Sequence, residues 1–127
     1  MAETAEAGGL LFYFENRATG NDGGPSLQVR ADVEGKTVQL LRFDMFYKQP
    51  HYHYAPEGRN IRYDLDPLAV DDGISWAIGL LRAKLPHLIA KAEYEPPLSS
   101  EAIAAALAAL PQIEARWRTQ EPAAIAH

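Results

Sequence analysis

The hydrophobic period of this chain changes once, at Pro67, and that change constrains the fold more than any other feature. Before it, apolar residues recur at every second position. From Leu27 to Val33, Leu27, Val29, Ala31 and Val33 alternate with Gln28, Arg30 and Asp32, the mark of a half-buried strand. After it, Ile74, Ala77, Ile78, Leu81, Leu85, Leu88, Ile89 and Ala92 recur at helical spacing behind Asp71-Asp72, either of which can cap a helix. Strands followed by helices predict an α+β domain, an antiparallel sheet of about five strands in residues 10–66 with one face covered by C-terminal helices at 71–120.

The strands are read from Leu10–Glu15, Leu27–Val33, Lys36–Phe46, His51–Tyr54 and Ile61–Leu65. Residues 1–9 are small and acidic and are expected to form a disordered tail, as are residues 121–127. Residues 10–120 then make a single α+β domain. The segment from Asn16 to Pro25 contains Gly20-Asn-Asp-Gly-Gly24 and is expected to be a loop. It lacks the Gly-Lys-Ser/Thr of a phosphate loop. Pro86 interrupts the first helical stretch and predicts a kink near Arg82–Leu85. Ser99 or Ser100 can cap a second helix with a stripe of Ile103, Leu107, Leu110, Ile113 and Trp117, which Pro111 could divide. Around the first helix, Trp76, Leu80, Ala83 and His87 form a second side, expected to meet the C-terminal helix or to serve self-association or a protein partner.

Composition narrows the chemistry. The chain has 127 residues and no cysteine, which removes thiolate catalysis and cysteine-based zinc or iron–sulfur sites. Its net charge of −5 and pI of about 5.3 oppose general nucleic-acid binding. Arg30, Lys36, Arg42, Lys48, Arg59 and Arg62 outnumber the acids of residues 30–62 by only two. No apolar run suffices for a membrane span, and the acidic start lacks the basic region of a signal peptide, so a cytoplasmic location is expected.

The stretch from Arg42 to Asp66 carries the chemistry. If Ala55–Asn60 closes a hairpin, Tyr54 lies opposite Ile61, His53 opposite Arg62, Tyr52 opposite Tyr63 and His51 opposite Asp64. His51, His53, Arg62 and Asp64 then share one face, with Asp66 beyond them if the strand runs on, and Tyr52, Tyr54, Ile61, Tyr63 and Leu65 share the other. A four-residue loop at 47–50 would add Arg42 and Asp44 to the polar set, with Asp44 opposite His53. Two imidazoles two residues apart can bind one metal ion, with Asp44 or Asp64 as third ligand and Arg62 for an anionic substrate. A solvated sheet face with cross-strand ion pairs explains the same alternation without a ligand. That second reading leads to no expected metal or other cofactor. Ser75, Ser99 and Ser100 lack a nucleophile's context, and His87 and His127 lie away from the pair.

Three resemblances bear on this stretch. His51, His53 and Glu57 match a fragment of the cupin pattern, but Met45 and Asp64 stand where that pattern needs glycine and no second motif follows, which excludes the cupin barrel. Arg42-Phe-Asp44 and Pro50-His-Tyr-His53 are similar, over about twelve residues, to a stretch of TumE-type toxins of bacterial toxin–antitoxin pairs, with different spacing and second histidine; that likeness implies a role on RNA for Asp44, His51 and His53. Residues 40–94 resemble an uncharacterised group of small bacterial proteins, which implies no function. The preferred reading is a non-catalytic accessory or interaction module that binds another protein through the open polar sheet face or the helical layer. The alternative is a small metal- or histidine-dependent hydrolase, toxin-like and acting on RNA, centred on His51 and His53 with Asp44, Arg62 and Asp64.

Overall fold

The computed structural model describes residues 2–120 and has the expected α+β architecture, with one six-stranded antiparallel sheet and two helices. The strands β1 (Glu3–Ala7), β2 (Leu10–Thr19), β3 (Asp22–Val33), β4 (Lys36–Asp44), β5 (His51–Tyr54) and β6 (Ile61–Asp64) lie side by side in chain order. Helices α1 (Gly73–Lys91) and α2 (Ser100–Arg118) pack together over one face. Phe12, Phe14, Leu27, Val29, Leu41 and Phe43 from the sheet meet Ile78, Leu81, Leu85, Leu110, Ile113 and Trp117 from the helices, and all are essentially inaccessible. Such burial is the main stabilising term in a domain of this size.

Two differences from the sequence reading lie at the N-terminal side of the sheet. Residues 3–7, expected in a disordered tail, form β1. Gly8 and Gly9, both at positive φ, make a two-residue turn that returns the chain antiparallel along β2. Ala5 and Ala7 are half-buried, and Arg116 of α2 bonds the Glu3 carboxylate and the Thr4 carbonyl. The edge is therefore held by a helix more than a hundred residues away in sequence. The expected loop at 16–25 is likewise a ladder, because β2 and β3 stay paired from Leu11–Arg30 to Thr19–Asp22. Gly24 sits where the chain after β4 crosses closely: a Cβ there would lie 2.8 Å from the Met45 carbonyl oxygen. Residues 121–127, the other expected tail, and His127 with them, lie outside the described residues.

The helices begin where their caps predict. The Asp72 carboxylate accepts from Ser75 N, and Ser99 Oγ accepts from Ala102 N. Lys84, two residues before Pro86, leaves helical geometry, so the expected kink is present. Pro111 does not divide α2. Trp76, for which the sequence reading expected cover from the C-terminal helix or a second copy, is half-buried and packs against Tyr52 on β5, with ring centroids 5.4 Å apart. The residue buried by α2 is its own Trp117, whose indole N–H donates to the Glu15 carbonyl. No helix among the described residues is long and apolar enough to cross a membrane.

Candidate functional site

The β5–β6 register is the one the hairpin argument requires, with His51 opposite Asp64 and His53 opposite Arg62. Across β4 and β5 it differs by two residues: Asp44 faces His51, and Arg42 faces His53. The reason lies in the connection. Met45 N and Tyr47 N bond back to the Pro25 and Gly23 carbonyls of β3 instead of continuing toward β5, so the loop spans six residues and Asp44 is the last paired position.

The polar face is also not a solvated one. Asp44 is 2%, His53 4% and His51 6% exposed, and buried polar groups at that depth require partners. Asp44 has them in number. Its Oδ1 accepts from Ser26 Oγ at 2.8 Å and lies 3.5 Å from Arg17 Nη1; its Oδ2 accepts from Arg42 Nε at 2.9 Å. The same Oδ2 lies 3.2 Å from His51 Nε2 and 3.7 Å from His53 Nε2. Burial alone would raise the Asp44 pKa. The hydrogen bonds from His51 and Ser26 and the charge of Arg42 outweigh it and hold the carboxyl down at about 2, so it is ionised throughout the physiological range.

Hydrogen-bond chemistry assigns the ring hydrogens. His51 Nδ1 lies 3.0 Å from the Gln49 carbonyl oxygen, which only accepts, so Nδ1 carries a hydrogen. His53 Nδ1 lies 2.8 Å from Asn60 Oδ1, while Arg42 Nη2, which only donates, points at its Nε2 from 3.2 Å. His53 is therefore neutral with its Nε2 lone pair inward. Burial is the first cause of its lowered pKa, with the charges of Arg42 and His51 adding to it. At His51, Nε2 is the ring nitrogen turned toward the Asp44 carboxylate. The two rings stand edge to face with centroids 5.1 Å apart, and Phe46 packs edge-on against His51 while lining a cavity of about 440 Å³ with Pro25 and Pro50.

The structure thus gathers Asp44, His51 and His53 and leaves the other candidates out. Arg62 and Asp64 are exposed and bond each other, and Asp66 is an exposed acceptor for Leu68 N. Ser26, Arg17, Gln49 and Asn60 are site members that sequence reasoning missed. For Ser26 the signal was present: extending the Leu27–Val33 alternation back by one residue puts it on the face of Gln28. Among the described residues, Asp44, His51 and His53 offer ligand atoms that all lie within 4.8 Å of one another.

Fold and site together define a small α+β domain with a buried histidine–carboxylate–guanidinium centre on the sheet face away from its helices. The family described as Domain of unknown function (DUF7700) matches residues 4–116, and the chain belongs to that family. Neither the curated proteins nor the solved structures compared with the chain include a match.

Proposed function

We propose that this protein is a metal-dependent hydrolase whose divalent ion is held by Asp44 Oδ2, His51 Nε2 and His53 Nε2. One observation carries the reading: the three donor atoms converge, and each histidine turns its other ring nitrogen onto an oxygen acceptor, Gln49 O or Asn60 Oδ1. Metal-bound histidines are held in this way, the outer acceptor setting the tautomer. Ligands around a tetrahedral ion at about 2.1 Å stand roughly 3.4 Å apart, and the shorter contacts of 3.2 and 3.7 Å bracket that value. Two imidazoles and a carboxylate suit zinc, iron, manganese or nickel.

Arg42 fills the cation's place in the present arrangement. Its side chain is 24% exposed and Arg17 is 32% exposed, so both guanidinium groups can turn outward as the ion enters. There they would meet an anionic substrate, and an ion held by Asp44, His51 and His53 would, when bound, lower the pKa of a water for attack on it. The likeness of residues 42–53 to TumE-type toxins supports a phosphodiester, and RNA in particular, as that substrate.

The test is metal content and calorimetric binding of zinc, manganese and nickel to protein purified without chelator. About one ion per chain is expected, lost in His51→Ala with His53→Ala and in Asp44→Asn, together with metal-dependent cleavage of a phosphodiester. Absence of binding to a folded chain removes the metal-dependent reading, and absence of phosphodiester cleavage as well removes the hydrolase. Both together would leave an interaction module, for which the exposed Ala83 and His87 and half-buried Leu80 on α1 offer a surface.

A further inference from the structure

The free edge of the sheet at β6 has a charge order that matches itself. Leu65 N donates to the Pro50 carbonyl, and Ala55 N donates to the Leu40 carbonyl. In an antiparallel ladder hydrogen-bonded and non-bonded pairs alternate. The backbone groups of Ile61 and Tyr63 therefore face β5, and those of Arg62 and Asp64 face outward. Among the described residues no strand follows β6 or pairs with its outer side. A partner strand can bond this edge only through Arg62 and Asp64.

An antiparallel copy of β6 centred on Tyr63 fits these groups. It sets Arg62 opposite Asp64 of the copy, Asp64 opposite its Arg62, Tyr63 opposite Tyr63, and Ile61 opposite Leu65. The two outward-facing positions of each strand coincide, so four backbone hydrogen bonds form. On the polar face two opposite-charge pairs form where each chain alone has the exposed Arg62–Asp64 contact of 2.7 Å. On the other face lies Tyr63, which is 42% exposed, with half-buried Ile61 and Leu65 beside it.

The second side of α1 lies over the same edge. Trp76 touches Tyr52, and Lys91 Nζ donates to the Tyr63 hydroxyl at 2.9 Å and sits over the Tyr54 ring. Leu80, Ala83 and His87 share the bearing of Trp76 and Lys91 around the helix axis at 100° per residue. The opposite edge is used differently, since Arg116 bonds the Thr4 carbonyl there.

We propose that two copies of this chain associate through β6, joining their sheets across a two-fold axis at Tyr63, with the α1 sides meeting above the joint. The interface is isologous, so it closes as a dimer. It also places Arg62 of the second copy beside Asp64, in line with His51 and Asp44 on the polar face. The inference is independent of the metal reading.

Charge exchange tests it on the full chain by sedimentation across a concentration series. The wild type is expected to dimerise. Arg62→Asp and Asp64→Arg each put like charges opposite at both symmetric positions and should weaken the dimer about tenfold or more. The double variant Arg62→Asp, Asp64→Arg should recover it, and mixing the two single variants should yield a heterodimer, because the pairs are then complementary again. Circular dichroism confirms folding, which these exposed positions should preserve. A wild type that stays monomeric overturns the proposal. So does a dimer indifferent to the single variants, or one that neither the double variant nor the mixture restores.

Discussion

Asp44 and His51 face each other across β4 and β5 with Oδ2 3.2 Å from Nε2, both almost wholly out of solvent and beneath the guanidinium groups of Arg42 and Arg17. One carboxylate balances several cationic or potentially cationic groups, so its removal should be felt widely. Asp44→Asn is expected to destabilise the fold by about 2 kcal/mol, since it removes the buried acceptor shared by Ser26 and the part-exposed Arg42 and Arg17 guanidinium groups. Urea unfolding at neutral pH measures this, and a loss below about 1 kcal/mol would contradict the central position given to Asp44.

Acid should act through the same group. The folded-state pKa of Asp44 lies at about 2, below its ordinary value of 3.8. As pH falls the unfolded chain binds the proton first, so the stability from Asp44 is complete above about pH 4 and is lost between 4 and 2. The contribution is on the order of 2 kcal/mol. In Asp44→Asn the pH dependence of unfolding in that window should be shallower by this amount.

His53 titrates in the opposite chemical sense but with the same slope. Burial, with Arg42 and His51, depresses its pKa below 6.5, so the unfolded imidazole takes up its proton before the folded one. Stability from neutral His53 is full above about pH 6.5 and declines below it toward the folded value. Ring proton resonances should follow His53 remaining neutral below its ordinary range. Arg42→Gln should raise that midpoint by removing the adjacent charge; an unchanged midpoint would contradict the Arg42–His53 contact.

Gly8 should tolerate no side chain. Its φ is +61°, and a Cβ would come within 2.0 Å of the Ala102 carbonyl oxygen, whereas Gly9 at φ +78° meets nothing nearby. Gly8→Ala is expected to cost about 2 kcal/mol or more and Gly9→Ala about 1, the latter from backbone strain alone. Hydrogen exchange should report β1 released from α2 in the first variant only.

The two tryptophans should separate by environment. Trp117 is inaccessible with its N–H bonded to Glu15, whereas Trp76 is half-buried against Tyr52. Trp117→Ala is expected to cost about 3–5 kcal/mol and Trp76→Ala clearly less. In Trp117→Phe the remaining emission should be the redder and more readily quenched by iodide, and emission shielded from iodide would contradict the placement of Trp76.

Several features of this protein were legible along the chain because they depend on neighbours. Alternation within 51–54 and 61–65, closed by one short turn, determined the β5–β6 register and the sharing of a face by His51 and His53. Helical spacing with Asp72 and Ser99 as caps set both helix starts, and Pro86 set the kink. Gly8-Gly9 was a hairpin signal too, but two glycines close a turn only if a strand is worth pairing, and Ala5 and Ala7 gain their cover from α2.

The pairing of Asp44 with His51 was decided by tertiary structure, since Met45 and Tyr47 spend their N–H groups on β3 and lengthen the loop by two residues. So was the depth of the polar centre. Period two tells which side chains share a face of a sheet, but not how far that face lies from water. Here Arg17 from β2, Arg42 from β4 and Phe46 from the following loop close over Asp44, His51 and His53, and only folding brings those three segments together.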